Sequence, residues 1–259
     1  APDINLSRVH SAPDPTRPMV VRIGLSEIRD VGNNAQHIVA ERNLNGPFAS
    51  MADLIKRVKI PGHDKAGNPT LSRIGAAAIE GLIEAGAFDC FGPRLGHMMI
   101  ARAAGDTADN DGLPVPDSEW GHLERANRQR VRLGVTTGPS PLEIYKDVLD
   151  VHDVRRTWDP ETGESYSKPH RLVDDVINGF GGSGENVTGL LTEWAPFITK
   201  RGQQMSKFSL QGMSESIDGV VFPNTFEGWL QAGVDLKVGD IITITGDVKK
   251  SVVTVEKEV

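Results

Sequence analysis

The feature that most constrains the fold of this sequence is a helical segment that ends at a glycine and is followed by a second helix. Apolar residues recur at helical spacing over residues 72–85, and Gly86 follows them directly. Because glycine readily adopts the left-handed conformation that ends helices, the pattern predicts a tight corner at Gly86. A second apolar face over residues 94–104 predicts the helix that leaves this corner.

About fifty residues earlier the same arrangement appears in outline. A short apolar helix is expected after residue 24, then a corner at Gly32 and a second helix that ends near residue 43. Such a hairpin presents backbone N–H groups at a helix N-terminus, where free donors and the helix dipole stabilise a phosphate oxygen. On these features alone, a plain helical bundle with glycine turns is an equally good interpretation. The candidate phosphate donors are the backbone groups of Val31, Gly32, Asn33, Asn34 and, in the second corner, Gly86.

The composition is that of a soluble, folded chain in a reducing cytoplasm. Of the 259 residues, 38% are hydrophobic and 24% charged, and no apolar run approaches the ~20 residues of a membrane helix. The single cysteine excludes an internal disulfide framework. The net charge is −7, yet residues 1–105 carry 12 basic against 10 acidic residues, and the acidity is concentrated in residues 106–185. Any affinity of this chain for DNA should therefore be weak and salt-sensitive.

The C-terminal part of the sequence changes to alternating apolar residues, which predict five strands. A short helical stretch at residues 226–230 lies between the third and fourth of them. Five strands with one helix between strands 3 and 4 is the layout of an OB barrel, which binds single strands through strands 2 and 3 with stacking aromatics and basic side chains. The predicted strands cover residues 187–191, 205–210, 217–222, 241–244 and 252–255.

The candidate contacts of this barrel lie at the end of its first strand, at the following hairpin tip and on its second strand. We expect Phe208 to belong to the core instead, and Trp229 to plug the barrel. The two charged residues at the hairpin tip are equally compatible with a plain solvated turn. The candidates are Trp194, Phe197, Lys200, Arg201 and Lys207.

Several motifs, in order and spacing, resemble the C-family of bacterial replicative DNA polymerases, the polymerase III alpha subunit. They are "PDIN" at residues 2–5, "IGLSEIRDVG", "GPFASMADL" and "LIEAGAFDCFGPR". Residues 133–145 further resemble the family's connector, and residues 200–202 and 220–223 resemble its OB domain. The resemblance implies the end of the fingers region, a tandem helix-hairpin-helix domain and an OB domain, and it covers nearly the whole chain.

The sequence also departs from this family in ways that bear on function. Asp30 and Asn34 stand where the family usually has glycines, and the Asp30 charge opposes a phosphate contact. The polar loop at residues 61–70 is longer than usual. Residues 106–113 lack the glutamine and aromatic residue of the sliding-clamp peptide that many relatives carry, so clamp binding at this place is not expected. The missing clamp peptide, together with the missing histidine in the Gly138-Pro139 motif, indicates a phage-encoded or error-prone relative.

No catalytic residue and no metal ligand are predicted in this chain. The family's palm aspartates, which hold the two metal ions (Mg²⁺ is expected), lie N-terminal to all of these motifs. The seven histidines are scattered, and no His/Cys/Asp cluster has metal-ligand spacing. The glycines at residues 181–184 lack the lysine and the strand–helix context of a phosphate loop.

The sequence therefore predicts an α+β, multidomain chain: an α-helical tandem helix-hairpin-helix domain followed by a five-stranded OB β-barrel. Residues 1–20 are an extended lead-in, 21–152 the hairpin domain with its connector, 153–185 a linker and 186–259 the OB domain. The predicted function is a DNA-binding segment of a DNA polymerase in replication or translesion synthesis. Its hairpins would grip duplex DNA and its barrel would bind single-stranded template, with other replisome proteins as partners and no membrane. The alternatives are a protein-docking module of a replisome or mutasome and, less favoured by the hairpins, an RNA-binding OB module.

Overall fold

The computed structural model describes residues 1–14, 17, 19–104, 113–151, 156–158, 165–167, 170–179, 182–249 and 252–255. It divides into two compact units, Ala1–Gly138 and Pro139–Val259. Within the described ranges, each helix is too short or too polar to span a bilayer. The stretch compared with the sliding-clamp peptide, residues 106–113, falls almost entirely outside these ranges.

The first unit is built around helices that pack on one apolar core. It begins with two short strands and a 3₁₀ turn, and a β-hairpin separates its second and third helices. In chain order, its elements are β1 (Ala12–Pro13), β2 (Val21–Arg22), the 3₁₀ turn (Leu25–Glu27), α1 (Asn34–Asn45), α2 (Met51–Arg57), β3 (Lys59–His63), β4 (Pro69–Arg73), α3 (Ala76–Ala85), α4 (Arg94–Ala104) and α5 (His122–Leu133).

The second predicted hairpin is present, but its first helix is shorter than expected. α3 begins at Ala76 because residues 69–73 form β4, which pairs antiparallel with β3. The predicted start at residue 72 and the predicted polar loop at residues 61–70 are therefore wrong: this segment is a β-hairpin. Gly86 ends α3 in the left-handed conformation, at φ 90°, and α4 runs over residues 94–104, as predicted.

The N-terminal residues take part in the core of the first unit. The side chain of Ile4 is fully buried, and its backbone N–H donates to the carbonyl oxygen of Ala87 at 2.9 Å. β1 pairs antiparallel with β2. Residues 1–14 are thus part of the folded unit, whereas the sequence suggested only an extended lead-in.

The second unit is a mixed sheet with short helices around it. Its elements are α6 (Pro141–Ile144), α7 (Lys146–Val151), β5 (Arg156–Trp158), β6 (Ser165–Ser167), β7 (Arg171–Leu172), α8 (Val173–Asn178), β8 (Glu185–Ile198), β9 (Gln204–Gln211), β10 (Ser216–Val221), α9 (Pro223–Gln231), β11 (Ile241–Lys249) and β12 (Val252–Val255).

The five predicted strands of this unit correspond to β8–β12, and α9 lies between the third and fourth of them. The strands form a six-stranded sheet in the order β11-β12-β10-β9-β8-β7, in which β11 pairs additionally with β8. The β10–β12 and β7–β8 pairs are parallel, and the other pairs are antiparallel. Phe208 is buried in this core, and its ring lies over Gly219 on β10, where a side chain would collide with it.

Part of the segment assigned to the linker belongs to the second unit. β7 pairs with β8, and the side chains of Val173 and Val176 on α8 are fully buried against the sheet. Their spacing of three residues, continued at Ile177, is the helical signal that the low overall apolar content of residues 153–185 concealed.

Candidate nucleic-acid interface

The corner of the first hairpin offers one free backbone donor rather than four. The N–H groups of Val31 and Gly32 donate to the carbonyl oxygen of Ile28 at 3.1 and 3.4 Å, and that of Asn34 donates to the Val31 carbonyl oxygen at 2.9 Å. Among the described residues, the N–H of Asn33 has no hydrogen-bond partner. Asn33 is the N-cap of α1 and makes no side-chain capping bond. The corner can therefore present a single N–H, aided by the dipole of α1, to an anion.

The carboxylate of Asp30 is paired within the chain. Asp30 adopts a positive φ of 71°, a conformation that glycine adopts freely and that aspartate tolerates better than most residues. Its carboxylate contacts the guanidinium of Arg132 on α5. The repulsion expected between Asp30 and a phosphate is thus offset by a cation 102 positions away in sequence.

In the second hairpin, the polar groups around Gly86 form their hydrogen bonds within the chain. Gly86 is buried, and its N–H donates to the carbonyl oxygen of Ile83 at 3.0 Å. The guanidinium of Arg94 lies against this glycine, binds both carboxylate oxygens of Asp89 at 2.7 Å and donates to the carbonyl oxygen of Glu84 at 3.2 Å. The N–H of Gly86 is not available to a phosphate in this arrangement.

A carboxylate already occupies the N-terminus of α4. The backbone N–H groups of Arg94 and Leu95 donate to the two side-chain oxygens of Glu119 at 3.1 and 3.3 Å, and the N–H of Gly96 donates to the carbonyl oxygen of Ser118 at 3.0 Å. The donors that a helix N-terminus would offer to an external anion are thus bound by residues of the segment before α5. Of the two corners, the first is the more accessible one.

α5 holds the two hairpins together. The buried amide of Gln129 donates to the carbonyl oxygen of Ala85 at 2.8 Å, while its oxygen accepts from the N–H of Thr137 at 3.0 Å. One turn further along the helix, the carbonyl oxygen of Arg132 accepts from the N–H of Arg29 at 2.9 Å. This arginine-rich helix is therefore a structural brace with contacts to both corners.

The close approach of the two hairpins requires a glycine at position 81. A Cβ atom there would lie 2.7 Å from the carbonyl oxygen of Arg29 and 3.6 Å from the side chains of Ile28 and Val31. Alanine would favour the helix by about 1 kcal/mol, but the backbone oxygen can give way only if the hairpins separate. We expect Gly81→Ala to lower the free energy of unfolding of the first unit by about 1–2 kcal/mol in urea titrations followed by circular dichroism.

Gly228 provides the matched control for this substitution. It lies inside α9, and a Cβ atom there would meet no atom within 4 Å. Gly228→Ala should therefore be neutral or stabilising, by up to about 1 kcal/mol. A stabilising effect at both positions would show that the two hairpins can move apart enough to accommodate a Cβ atom at residue 81.

The outer face of the β8–β9 hairpin brings four of the five predicted barrel contacts together. Phe197 and Met205 lie directly opposite each other, as do Ala195 and Lys207, and all four lie on the same outward side. Phe197 is 38% exposed, and Lys207 is exposed. Lys200 and Arg201 are exposed in the tip of the hairpin. β8 and β9 are the first two strands of the predicted barrel, so this face includes one of the two strands, the second, through which such barrels bind single strands.

Trp194 lies on the opposite side of the strand. Its ring stacks on those of Phe226 and Trp229 of α9, at centroid distances of 6.1 and 6.3 Å, and it is only partly exposed. A β-bulge between Leu191 and Glu193 reverses the inward–outward alternation before Trp194. The structure thus places Trp194 against the core, separate from the face that carries Phe197.

No catalytic arrangement is seen in the part of the chain that the structure describes. There, no group of three or more His, Cys, Asp or Glu side chains could hold a metal ion. Partial burial and the nearby carboxylate of Asp3 raise the pKa of the Cys90 thiol to about 11, which disfavours a reactive thiolate. Burial also lowers the pKa of His97, which packs at 5.9 Å from the Phe88 ring.

Comparison with known proteins agrees with this architecture. A family model described as a helix-hairpin-helix motif matches residues 1–95. The DNA polymerase III subunit alpha of Aquifex aeolicus is 27% identical over 214 residues, which are 80% of this chain and 16% of that protein. The error-prone DNA polymerase of Mycolicibacterium paratuberculosis is 30% identical over 162 residues, 59% of this chain and 13% of that protein. The chain is homologous to part of the DNA polymerase III alpha subunit.

This relationship extends over most of the sequence. The DNA polymerase III subunit alpha of Mycobacterium tuberculosis is 23% identical over an alignment of 275 residues, which covers 95% of this chain and 21% of that protein. The resemblance drawn from the sequence motifs is confirmed. The chain spans only 13% to 21% of the length of these polymerase III alpha and error-prone relatives.

Proposed function

We propose that this chain is a DNA-binding segment of a C-family DNA polymerase, in which the first hairpin contacts the duplex backbone and the second unit binds single-stranded template. The observation that carries the proposal is the outer face of the β8–β9 hairpin. An exposed aromatic ring and three exposed cations lie together there, on a segment homologous to polymerase III alpha subunits.

The strand pairing supports an OB-type barrel as the scaffold of this face. β8 pairs with β9, β9 with β10, β10 in parallel with β12, β12 with β11, and β11 again with β8. This order, with α9 between β10 and β11, supports a five-stranded Greek-key barrel for this unit. In such barrels the ligand lies across strands 2 and 3 and the loops around them, and the proposal assigns β9 and the β8–β9 tip to this surface.

The charges of the face suit a phosphate backbone. Lys200, Arg201 and Lys207 form no ion pair among the described residues, so their charges are available to a ligand. The nearest acidic residues in the sheet are Glu193 on β8 and Asp218 on β10. Both pair with Ser209, which is two residues after Lys207 on β9. Phe197 offers a ring on which a base can stack, an interaction of about 1–3 kcal/mol. This combination fits sequence-tolerant binding of a single strand better than recognition of a protein surface.

In this proposal the other predicted contacts have different roles. Trp194 supports the inner side of the same strand through its stack with α9, and Gly86 shapes a buried turn. In the first hairpin, the N–H of Asn33 at the start of α1 is the group that would meet a duplex phosphate, with Val31, Gly32 and Asn34 forming the turn that presents it. Docking of further replisome proteins, including a sliding clamp, stays a prediction.

The proposal is tested by the salt dependence of single-strand binding. Fluorescence anisotropy of a labelled single-stranded oligonucleotide should show a dissociation constant that rises with salt. Lys200→Ala/Arg201→Ala should weaken binding and reduce the slope of log K against log salt by about 1.4, because two phosphate contacts are lost. Phe197→Ala should weaken binding without changing this slope, since stacking releases no counterion.

The control is Lys237→Ala/Lys249→Ala, which removes the same charge from the same unit at exposed positions outside the face. It should leave the slope almost unchanged. Equal effects of the two double variants would mean that net charge alone governs binding, and the absence of any binding by the unaltered chain at low salt would refute the proposal.

A further inference from the structure

The β-hairpin between the two helical hairpins has no role in the function proposed above. It consists of β3, β4 and the turn at residues 64–68, and is termed the ribbon. Its pairing register is Lys59 with Arg73, Pro61 with Leu71 and His63 with Pro69 on one side. Because side chains alternate along a strand, Ile60, Gly62, Thr70 and Ser72 lie on the other side.

The two sides of the ribbon differ in their surroundings. Ile60 packs partly buried against the core of the first unit, which fixes its side of the ribbon to the body at the base. All six residues of the opposite side, termed the free face, are exposed, and Leu71 is 71% exposed. The free face is therefore an exposed sheet surface on the side of the ribbon opposite Ile60.

The free face carries positive charge without compensation. Lys59 and Arg73 are directly opposite each other, and like charges at this spacing of about 5 Å destabilise a strand pair. Neither forms an ion pair within the described residues. Residues 59–73 contain one further cation, Lys65 in the turn, and a single acid, Asp64.

Asp64 does not neutralise these cations. One of its carboxylate oxygens accepts the N–H groups of Ala66 and Asn68 at 2.9 and 2.8 Å, and the other accepts the side-chain amide of Asn68 at 3.0 Å. These bonds lower the pKa of Asp64 and fix it as the organiser of the turn. An external anion that lies between the two strands would therefore relieve the unfavourable Lys59–Arg73 pair.

We propose that the ribbon is a second duplex-DNA contact of the first unit, with its free face against the phosphate backbone. The proposal rests on the DNA-binding function proposed above. A two-stranded ribbon is narrow enough to enter a major groove about 12 Å wide. Lys59 and Arg73 at the base and Lys65 at the turn then contact phosphates along its length, while Leu71 between them packs on sugars or thymine methyl groups.

The test is the salt dependence of duplex binding by the whole chain, measured by anisotropy with a blunt labelled duplex. Lys59→Gln/Lys65→Gln/Arg73→Gln should weaken duplex binding at least about tenfold near 100 mM salt, and should reduce the slope of log K against log salt by about 2.7. Single-strand binding by the β8–β9 face should change by less than about twofold. Thr70→Ala, on the other side of the ribbon, is the matched control and should match the unaltered chain.

The possible outcomes separate this inference from the function on which it rests. If the unaltered chain binds duplex and the triple variant binds equally well with the same slope, the ribbon inference is wrong and the proposed function stands. If the unaltered chain binds neither duplex nor single strand, both are wrong. If the triple variant instead loses binding of a labelled polyglutamate peptide while duplex binding is kept, the free face is a docking site for an acidic protein. Unchanged thermal unfolding of the triple variant shows that folding is intact.

Discussion

Glu84→Ala is expected to destabilise the first unit by about 3–5 kcal/mol, the largest loss that we predict for a single substitution in this chain. The carboxylate of Glu84 is 8% exposed and binds the guanidinium of Arg128 at 2.7 Å and that of Arg132 at 2.5 Å. Arg132 also contacts Asp30 in the first hairpin. Alanine would leave two guanidinium groups without their shared anion, next to the point where both hairpins meet α5.

The size of this effect follows from burial and not from the number of ion pairs. Exposed pairs contribute about 0–1 kcal/mol, whereas loss of the buried Glu84 carboxylate leaves Arg128 and Arg132 with only more exposed partners, Glu124 and Asp30 respectively. Glu84→Gln keeps the shape and part of the hydrogen bonding, so its loss of stability should be smaller than that of alanine. Free energies of unfolding from urea titrations monitored by circular dichroism provide the comparison.

Glu80→Ala is the matched control on the same helix. Glu80 precedes Glu84 by one turn, and its carboxylate lies 3.8 Å from the guanidinium of Arg102, which is 63% exposed. Its loss should cost no more than about 0.5 kcal/mol. Similar losses for both alanine variants would indicate that the Glu84 network stabilises the unit no more than an exposed ion pair does, and the bracing role assigned to α5 would then be wrong.

The elements that the sequence predicted correctly are those with a local cause. The corner at Gly86 follows from the backbone freedom of glycine, and the five strands follow from the alternation of apolar residues. Each of these signals lies within a few residues of the feature that it determines. They were sufficient to place the two hairpin helices and the order of the strands along the chain.

The elements that the sequence did not reveal depend on distant contacts. From the sequence alone, Asp30 is a charge that would repel a phosphate, but in the structure Arg132 pairs with it. Likewise, the sequence does not show that Glu119 binds the backbone donors at the start of α4. The side of β8 on which Trp194 lies depends on a bulge that shifts the pairing with β9. In each case the contact that determines the structure is made by a residue that is distant in sequence or lies on a neighbouring strand. Neither periodicity nor composition predicts such a contact.

In the second unit, Asp174 organises the turn between β9 and β10. One of its oxygens accepts the N–H and hydroxyl of Ser214 at 2.7 Å and the N–H of Glu215 at 3.0 Å, and the other accepts the N–H of Met213 at 2.5 Å. Burial opposes ionisation, but these bonds outweigh it and lower the pKa of Asp174. The turn fits closely around the carboxylate, and a side chain at Gly212 would collide with it.

Asp174→Ala is expected to destabilise the second unit by about 2–3 kcal/mol at pH 7, since three backbone donors lose a charged acceptor and water replaces it only in part. A group whose pKa is lowered by folding stabilises the folded state above its unfolded value, and this contribution is lost as the pH falls through the folded value. The difference in stability between the unaltered chain and Asp174→Asn should therefore be constant from about pH 7 to 5 and shrink towards about pH 3.

The asparagine variant isolates the charge from the shape. It retains one oxygen for Ser214 and Glu215, but its amide meets the N–H of Met213 with a second donor, so a residual loss should persist at low pH. Other carboxylates, including Glu27, whose pKa is lowered by Ser11, titrate equally in both proteins and cancel from the difference. Urea titrations of the unaltered chain and of Asp174→Asn at about pH 7, 5 and 3 measure this difference in the free energy of unfolding. A difference that stays constant across this range would mean that Asp174 acts by geometry alone, and that its ionised form adds nothing to the stability of the turn that leads into the proposed barrel's third strand.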